Sequence, residues 1–279
     1  MTLSGGEVRR LLAEHDLSPS RARGQNFVVD PNTVRRVARL AEVGPGDRVV
    51  EIGAGLGSLT LALAETGASV TAIEVDRGLV PVLRGVVEPA GVTVVEGDAL
   101  RLDWGALLGG GDVPWVLVAN LPYNVATPLI ADLLDGVPAI ARMLVMVQRE
   151  VGERLAAGPG DEAYGAVSVK VAYWATARVV GRVPPTVFHP VPKVESALVR
   201  IDRRPEPAVG PEVDRSWLFR LVAAGFGQRR KMLRRSLADL VPPDAFAVAG
   251  IRPEARAEEL SVLDWGKLAA CTSNGPRPS

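Results

Sequence analysis

The sequence predicts an α/β protein: a doubly wound, mainly parallel sheet followed by a small helical domain. Short runs rich in Val and Ile, each bounded by Gly, Pro or Asp, recur through the first half of the chain, as strands buried on both faces do. Helical stretches separate them, and such alternation builds a parallel sheet with ligand sites outside the carboxyl ends of its strands. Beyond residue 214 the strand signal stops and only helical patterns remain.

Taken in order, a helix is expected over 31–40, with Asp30 as its cap and Pro31 in its first turn. Strands follow at 48–52 (RVVEI), 69–75 (SVTAIEV), 93–96, 115–119 (WVLVA) and 143–147 (MLVMV). Helices at 58–65, 77–83 and 128–134 lie between them, the last with Thr127 as N-cap and Pro128 at its first position. A helix at 166–174 leads to two more strand-like runs, 177–183 and 194–201, joined by a Pro-rich segment. These read as a closing hairpin that makes one edge of the sheet antiparallel. Residues 202–214 (DRRPEPAVGPEVD) have the composition of a linker. Helices are then expected at 217–224, 229–240 and 262–270. The division is thus 1–204 for the sheet domain, 205–271 for the helical domain and 272–279 for a disordered tail.

Composition narrows the function classes. The chain has 279 residues, 47% hydrophobic and 23% charged, which excludes a mainly disordered protein. No apolar run approaches the length of a membrane-spanning helix. Glu7, Arg9 and Arg10 stand where a secretion signal needs apolar residues. The single Cys271 excludes an internal disulfide, and with only His15 and His189 beside it no Cys/His zinc site is expected. A cytoplasmic, metal-free monomer is the expectation, since no large apolar helix face is left over. Lys+Arg and Asp+Glu both number 32, a balance that speaks against a dedicated nucleic-acid binder. Yet residues 215–235 hold Arg215, Arg220, Arg229, Arg230, Lys231, Arg234 and Arg235 with no acid among them. This one segment carries +7 and the remainder −7.

The strongest local signal is EIGAGLGSLT, residues 51–60. Gly53, Gly55 and Gly57 close the first strand and open a helix, where a bare backbone lets a ligand approach and a helix N-terminus adds a partial positive field. A tight strand-to-helix turn is the plainer explanation. The spacing G-x-G-x-G departs from the dinucleotide fingerprint. The second strand ends in Glu74-Val75-Asp76; a carboxylate there accepts from both hydroxyls of a ribose, and we assign this to Glu74, leaving Asp76 to helix capping. Asp98, after the third strand, can accept from an exocyclic amine or cap a turn. The fourth strand ends in Asn120-Leu121-Pro122-Tyr123. The Asn120 side-chain oxygen and a carbonyl of Leu121 or Pro122 suit the two N–H bonds of a ring amine, and Tyr123 suits stacking on the ring.

These residues resemble the ribosomal small-subunit RNA adenine dimethyltransferases, the kasugamycin-sensitivity enzymes. The resemblance rests on Gly24-Gln25-Asn26-Phe27, the glycine turn, Asn120 to Asn124 running into Ala126-Thr127-Pro128-Leu129, and Gln148-Arg149-Glu150-Val151. It continues through Tyr164-Gly165, the run 184–200 (PPTVFHPVPKVESALVR) and Gln228-Arg229-Arg230-Lys231. It implies a Rossmann-like, seven-stranded class I methyltransferase sheet and S-adenosyl-L-methionine as methyl donor. By the family pattern the donor contacts fall on Asn26, Val28, Gly53, Gly55, Glu74, Asp98 and Asn120. The resemblance further implies two adjacent adenines near the 3′ end of 16S rRNA as acceptors, each methylated twice on N6, in the 30S subunit or its precursor. Tyr123 and Phe188 are the expected stacking pair for a flipped-out adenine; for Phe188 the plainer alternative is a core aromatic.

Arg229, Arg230, Lys231, Arg234 and Arg235 are expected on one helix, contacting phosphates without reading bases. Arg21 and Arg23 extend the same track. Three rivals stand beside this reading. An erythromycin-resistance type 23S rRNA methyltransferase shares the scaffold, and a non-catalytic assembly factor shares the RNA surface. A nicotinamide dehydrogenase explains the glycine turn but neither Asn120–Tyr123 nor the basic run.

Overall fold

The computed structural model describes residues 2–20, 24–109, 113–122 and 125–272. In chain order its strands are β1 (Phe27–Val28), β2 (Arg48–Ile52), β3 (Ser69–Glu74), β4 (Thr93–Glu96), β5 (Trp115–Asn120), β6 (Ile140–Gln148), β7 (Ala175–Val183), β8 (Phe188–His189) and β9 (Ser196–Arg203). The helices are α1 (Gly5–Glu14), α2 (Pro31–Ala41), α3 (Ser58–Ala64), α4 (Leu79–Val87), α5 (Trp104–Leu108), α6 (Ala126–Gly136), α7 (Arg149–Ala156), α8 (Ala166–Trp174), α9 (Arg215–Gly227), α10 (Leu233–Ser236), α11 (Pro243–Val248) and α12 (Val262–Thr272).

Seven strands form one sheet in the order β4-β3-β2-β5-β6-β9-β7. The pairs β3–β4, β2–β3, β2–β5 and β5–β6 are parallel, whereas β6–β9 is antiparallel. The last strand thus inserts beside β6 and leaves the earlier β7 at the edge. Buried strands explain the composition: Val49, Val50, Leu117, Val118 and Val145 are all fully enclosed, and only a strand covered on both faces admits such unbroken apolar runs. β1 and β8 form a separate two-stranded ribbon, Phe27 opposite His189 and Val28 opposite Phe188.

Local chemistry sets several helix starts. Asp30 caps α2, accepting from Thr33 N at 2.9 Å and from the Thr33 hydroxyl at 2.6 Å. A capping box of Ser4 and Glu7 starts α1, a helix outside the sequence expectation. Helix α6 begins at Ala126, two residues before the expected Pro128, because Val125 N and Ala126 N already bond to Pro122 O. Thr127 therefore sits inside the first turn and is not its cap. No helix among the described residues is long and apolar enough to cross a membrane.

The chain divides into two compact units, 1–152 with 178–203 and 153–177 with 204–279. The expected first domain is contiguous over 1–204, whereas in the structure 153–177 group with the residues from 204 on in the second unit. That unit has its own core, in which Tyr164, Leu218, Leu221, Phe246 and Trp265 are buried together. From Arg204 on, the presumed linker is part of it. Arg204 N and Ala208 N donate to Trp174 O and Tyr173 O at 2.8 Å each, and Val209 and Val213 are buried. The expected tail also starts one residue too early, since Thr272 is buried in α12 and accepts a 2.8 Å hydrogen bond from Trp217 Nε1. Residues 273–279 lie outside the described residues.

Candidate active site

In the first unit a cleft opens where β2, β3 and β5 end, with a cavity volume of about 110 Å³. The turn after β2, the exits of β3 and β5, and the 24–28 segment bound it. The turn depends on bare glycine. Gly55 has φ +60°, and a Cβ there would come within 3.0 Å of the Phe27 ring; Gly57 has φ +90°, and its Cβ would lie 2.5 Å from Val87. Gly53 N and Ala54 N both donate to Ile73 O, at 2.9 and 3.2 Å, which tethers the turn to β3.

Two buried carboxyl groups face this turn. Glu74 is 5% exposed. Its Oε2 accepts from Gly55 N at 2.7 Å, and its Oε1 from Val75 N and Asp76 N at 2.9 Å each. Burial raises its pKa, and these three N–H groups, which favour the ionised form, hold the rise down. Three N–H donors leave one of the four lone-pair sites of a carboxylate open. Glu51, in β2, is 2% exposed, and its Oε2 has no hydrogen-bond partner among the described residues. Burial pushes its pKa up to about 8; the buried Thr60 hydroxyl eases the shift and the charge of Glu74 adds to it. The sequence reading passed over Glu51. Its signal was an acid inside an otherwise apolar strand, immediately before the glycines.

Asn120 ends β5 at the rim of the cleft. Its Nδ2 donates to Asn26 O at 3.0 Å, so the amide is oriented and Oδ1 remains as an acceptor. Asn26 in turn donates from Nδ2 to Gly24 O at 3.2 Å. Gln25 joins this segment to β3 through a 2.8 Å hydrogen bond from Nε2 to Asp76 Oδ2. Asp76 also accepts from Gly78 N at 3.0 Å, but the N-cap of α4 is Gly78 and has no side-chain cap, so Asp76 braces the turn before the helix and is not the helix cap expected of it. Val28, Gly53, Leu121 and Pro122 line the cleft.

Asp98 lines an adjoining hollow together with Gly53, Val75, Leu121 and Pro122. Its Oδ1 accepts from Leu100 N at 3.0 Å and its Oδ2 is 3.8 Å from Arg101 Nε. Phe188 requires a correction. It is 2% exposed and packs in the core with Val28, its β-ribbon partner. The ribbon holds the ring inward, so in this structure it offers no face for stacking. Tyr123 lies outside the described residues, as do Arg21 and Arg23.

The basic run lies in the second unit and is not one helix. α9 ends at Gly227, Gln228 N bonds to Gly225 O, and Lys231 N bonds to Gln228 O. Arg229, Arg230 and Lys231 therefore occupy a turn, and only Arg234 and Arg235 are helical, in α10. Tertiary bonds decide this: Leu233 N and Arg234 N are held by Ala255 O and Pro253 O at 2.8 and 3.0 Å. Acids distant in sequence also reach the run. Arg229 pairs with Glu258 at 2.7 Å and donates to Glu162 O at 2.6 Å, and Arg234 lies 3.3 Å from Glu254. Arg230, Lys231 and Arg235 are exposed and have no such partner among the described residues.

The family model for ribosomal RNA adenine dimethylase matches residues 20–273. The chain belongs to that family. It is 48% identical over 280 residues to "Ribosomal RNA small subunit methyltransferase A" of Cutibacterium acnes, across 95% of this chain and 93% of the relative. To the protein of that name from Magnetococcus marinus it is 47% identical over 282 residues, across 98% of both. Among solved structures, the 23S rRNA methyltransferase ErmE matches with a TM-score of 0.69 and 27% identity, across 89% of this chain and 100% of that one. A dimethyladenosine transferase from Plasmodium falciparum shares the fold, with a TM-score of 0.71 and 24% identity across 86% and 94%. In this member of the dimethylase family, then, the glycine turn, Glu51, Glu74 and Asn120 bound one cleft.

Proposed function

We infer that the protein transfers methyl groups from S-adenosyl-L-methionine to N6 of adenines in small-subunit rRNA, giving N6,N6-dimethyladenine. The observation that carries this reading is the oriented amide of Asn120, whose acceptor oxygen is left available at the rim of a cleft holding two buried carboxyl groups. The cleft suits the donor. The open lone pair of Glu74 suits a hydroxyl-bearing ligand, the unpartnered oxygen of Glu51 adds a polar contact, and the glycine turn lets such a ligand lie against the backbone. Glu74 would hold the ribose, Asp98 the adenine amine of the donor, and Asn26, Val28, Gly53 and Gly55 its flanks.

When bound, the donor supplies a methyl group attached to a sulfonium. The remaining task is to present a nitrogen. An adenine N6 lone pair is delocalised into the ring; accepting its hydrogens at Asn120 Oδ1 and at a carbonyl of Leu121 or Pro122 favours a pyramidal, more nucleophilic nitrogen. Asn120 does not titrate, so it positions the amine, and the proton leaves to water. Alignment carries most of the rate, with Tyr123 stacking on the flipped base. The acceptors are two adjacent adenines in the 3′-terminal hairpin loop of 16S rRNA, and the site of action is the cytoplasm.

Arg230, Lys231 and Arg235 contact phosphates, whereas Arg229 and Arg234 must first exchange their carboxylate partners. Replacing Arg230, Lys231 and Arg235 together by Ala is expected to make log Kobs for RNA less steep in log[salt] by about 2. Donor affinity stays unchanged. Filter binding across a salt series reads this, and an unaltered slope rejects the assignment.

The function itself is tested by incubating the protein with labelled S-adenosyl-L-methionine and 30S or 50S subunits lacking these modifications, followed by nucleoside analysis. N6,N6-dimethyladenine in the 16S rRNA is the expected product. Label confined to 23S rRNA would place the protein with the resistance enzymes, and tight 30S binding without transfer would make it an assembly factor.

A further inference from the structure

Helix α2 carries Arg35, Arg36 and Arg39 and no acid. Its inner face is apolar, with Val34, Val37, Ala38 and Ala41 buried, so the arginines share the outer face. Arg39 follows Arg36 by three positions and Arg35 by four, so it is a neighbour of both there and repels them. Arg36 Nη1 donates to Arg182 O at 3.0 Å, which seats this face beside the edge strand β7.

At the C-terminal end of α2, Glu42 gathers further arginines. Arg200 Nη1 lies 2.6 Å and Arg142 Nη1 3.6 Å from its carboxylate. The hydrogen bond and charge of Arg200, followed by the charges of Arg142 and of Arg178 on β7, hold the Glu42 carboxyl below its ordinary range. Asp202 takes the other edge of Arg200, at 2.9 Å. Glu42 and Asp202 thus take up the charge of Arg142, Arg178 and Arg200, whereas Arg35, Arg36 and Arg39 on α2 have no ion pair among the described residues. In a chain of zero net charge this is a local excess. Arg35, Arg39 and Arg178 are exposed; Arg178 acts on Glu42 through its charge alone, and none of the three has a salt bridge or side-chain hydrogen bond among the described residues.

None of these residues lines the cleft. Arg142 stands opposite Asp202 at the start of β6, whereas Met146, four residues on, is the partner of Asn120. At roughly 3.3 Å per residue the two positions are about 13 Å apart along the strand. Guanidinium groups, with their planar forks, bind phosphate oxygens in pairs, and a row of phosphates relieves the repulsion along α2 where water and salt only screen it.

We propose that the α2–β7 edge is a second RNA-contact surface, on which Arg35, Arg39 and Arg178 bind phosphates of the substrate at a distance from the acceptor base. The proposal rests on the reading of the protein as an rRNA methyltransferase and extends its footprint beyond the cleft and the basic turn. It names no sequence preference, since phosphate contacts position and do not read bases.

The test compares the full-length parent with R35A/R39A/R178A and with R35K/R39K/R178K on unmodified 30S subunits. Binding is measured across a salt series, together with methyl-transfer kinetics and donor affinity. For the alanine variant, the slope of log Kobs against log[salt] is expected to flatten by about 2. Its KM for 30S should rise severalfold, with kcat and donor affinity unchanged, while the lysine variant regains most of the slope. An alanine variant with the parental slope and KM overturns the proposal while the parent still methylates. A parent that neither binds nor methylates 30S overturns the reading of function beneath it.

Discussion

Asn120→Ala is expected to lower methyl transfer by on the order of 10²–10³-fold or more, the loss typical of removing one preorganised polar group from a reaction centre. Two effects combine. The acceptor for the amine hydrogens disappears, and so does the hydrogen bond that ties β5 to Asn26. Asn120→Asp separates them. A carboxylate keeps the acceptor but cannot donate, and it sets negative charge against the Asn26 carbonyl oxygen, so activity should fall through misplacement of the 24–28 segment and with it donor affinity. For Asn120→Ala, RNA binding should survive, because the phosphate contacts lie elsewhere. Single-turnover transfer, filter binding and donor titration read the three quantities independently. Simultaneous loss of all three would make Asn120 a structural residue, and an unchanged rate would remove it from the mechanism.

Glu51→Gln is expected to stabilise the protein at alkaline pH. The ordinary carboxyl value is 4.5, and in the folded protein burial pushes Glu51 up to about 8. The folded state therefore keeps a proton that the unfolded chain releases. This contribution is fully present below about pH 4.5 and is lost as pH rises toward 8. At 1.36 kcal/mol per unit, the window amounts to about 5 kcal/mol. Glutamine has the shape of the protonated acid and does not titrate. The variant should match the parent near pH 5 and exceed it by several kcal/mol at pH 8 to 9. Urea midpoints over that range measure the difference, and parallel pH profiles for parent and variant would contradict the burial argument.

Much of this site was legible because its signals are local. Gly53, Gly55 and Gly57 must have bare Cα atoms wherever a strand turns this tightly into a helix, and Asp30-Pro31 announces a helix start by its own chemistry. Glu74, Asp98 and Asn120 were found because each follows a β-rich run, and the carboxyl ends of parallel strands converge on one crevice. Glu51 escaped because a buried acid looks the same in sequence as an exposed one. Phe188 was misassigned because whether a ring faces a ligand or a core depends on the strand it pairs with, and that partner, Val28, is 160 positions away. The basic run was misread for a related reason: Glu258, Glu254 and the backbone of 253–255 reach it only after the second unit has folded.

What the sequence by itself determined is the α/β class, the strands of the sheet and the cleft residues contributed by its turns, because periodicity and turn chemistry act over a few residues. Only the tertiary structure decided which charges are already neutralised and which remain available. It broke the basic run into a turn and a short helix, drew 153–177 and the supposed linker from Arg204 on into the second unit, and brought Arg142, Arg178 and Arg200 from β6, β7 and β9 to Glu42 at the end of α2. Electrostatic fields and burial sum over space, so residues far apart in the chain set them together.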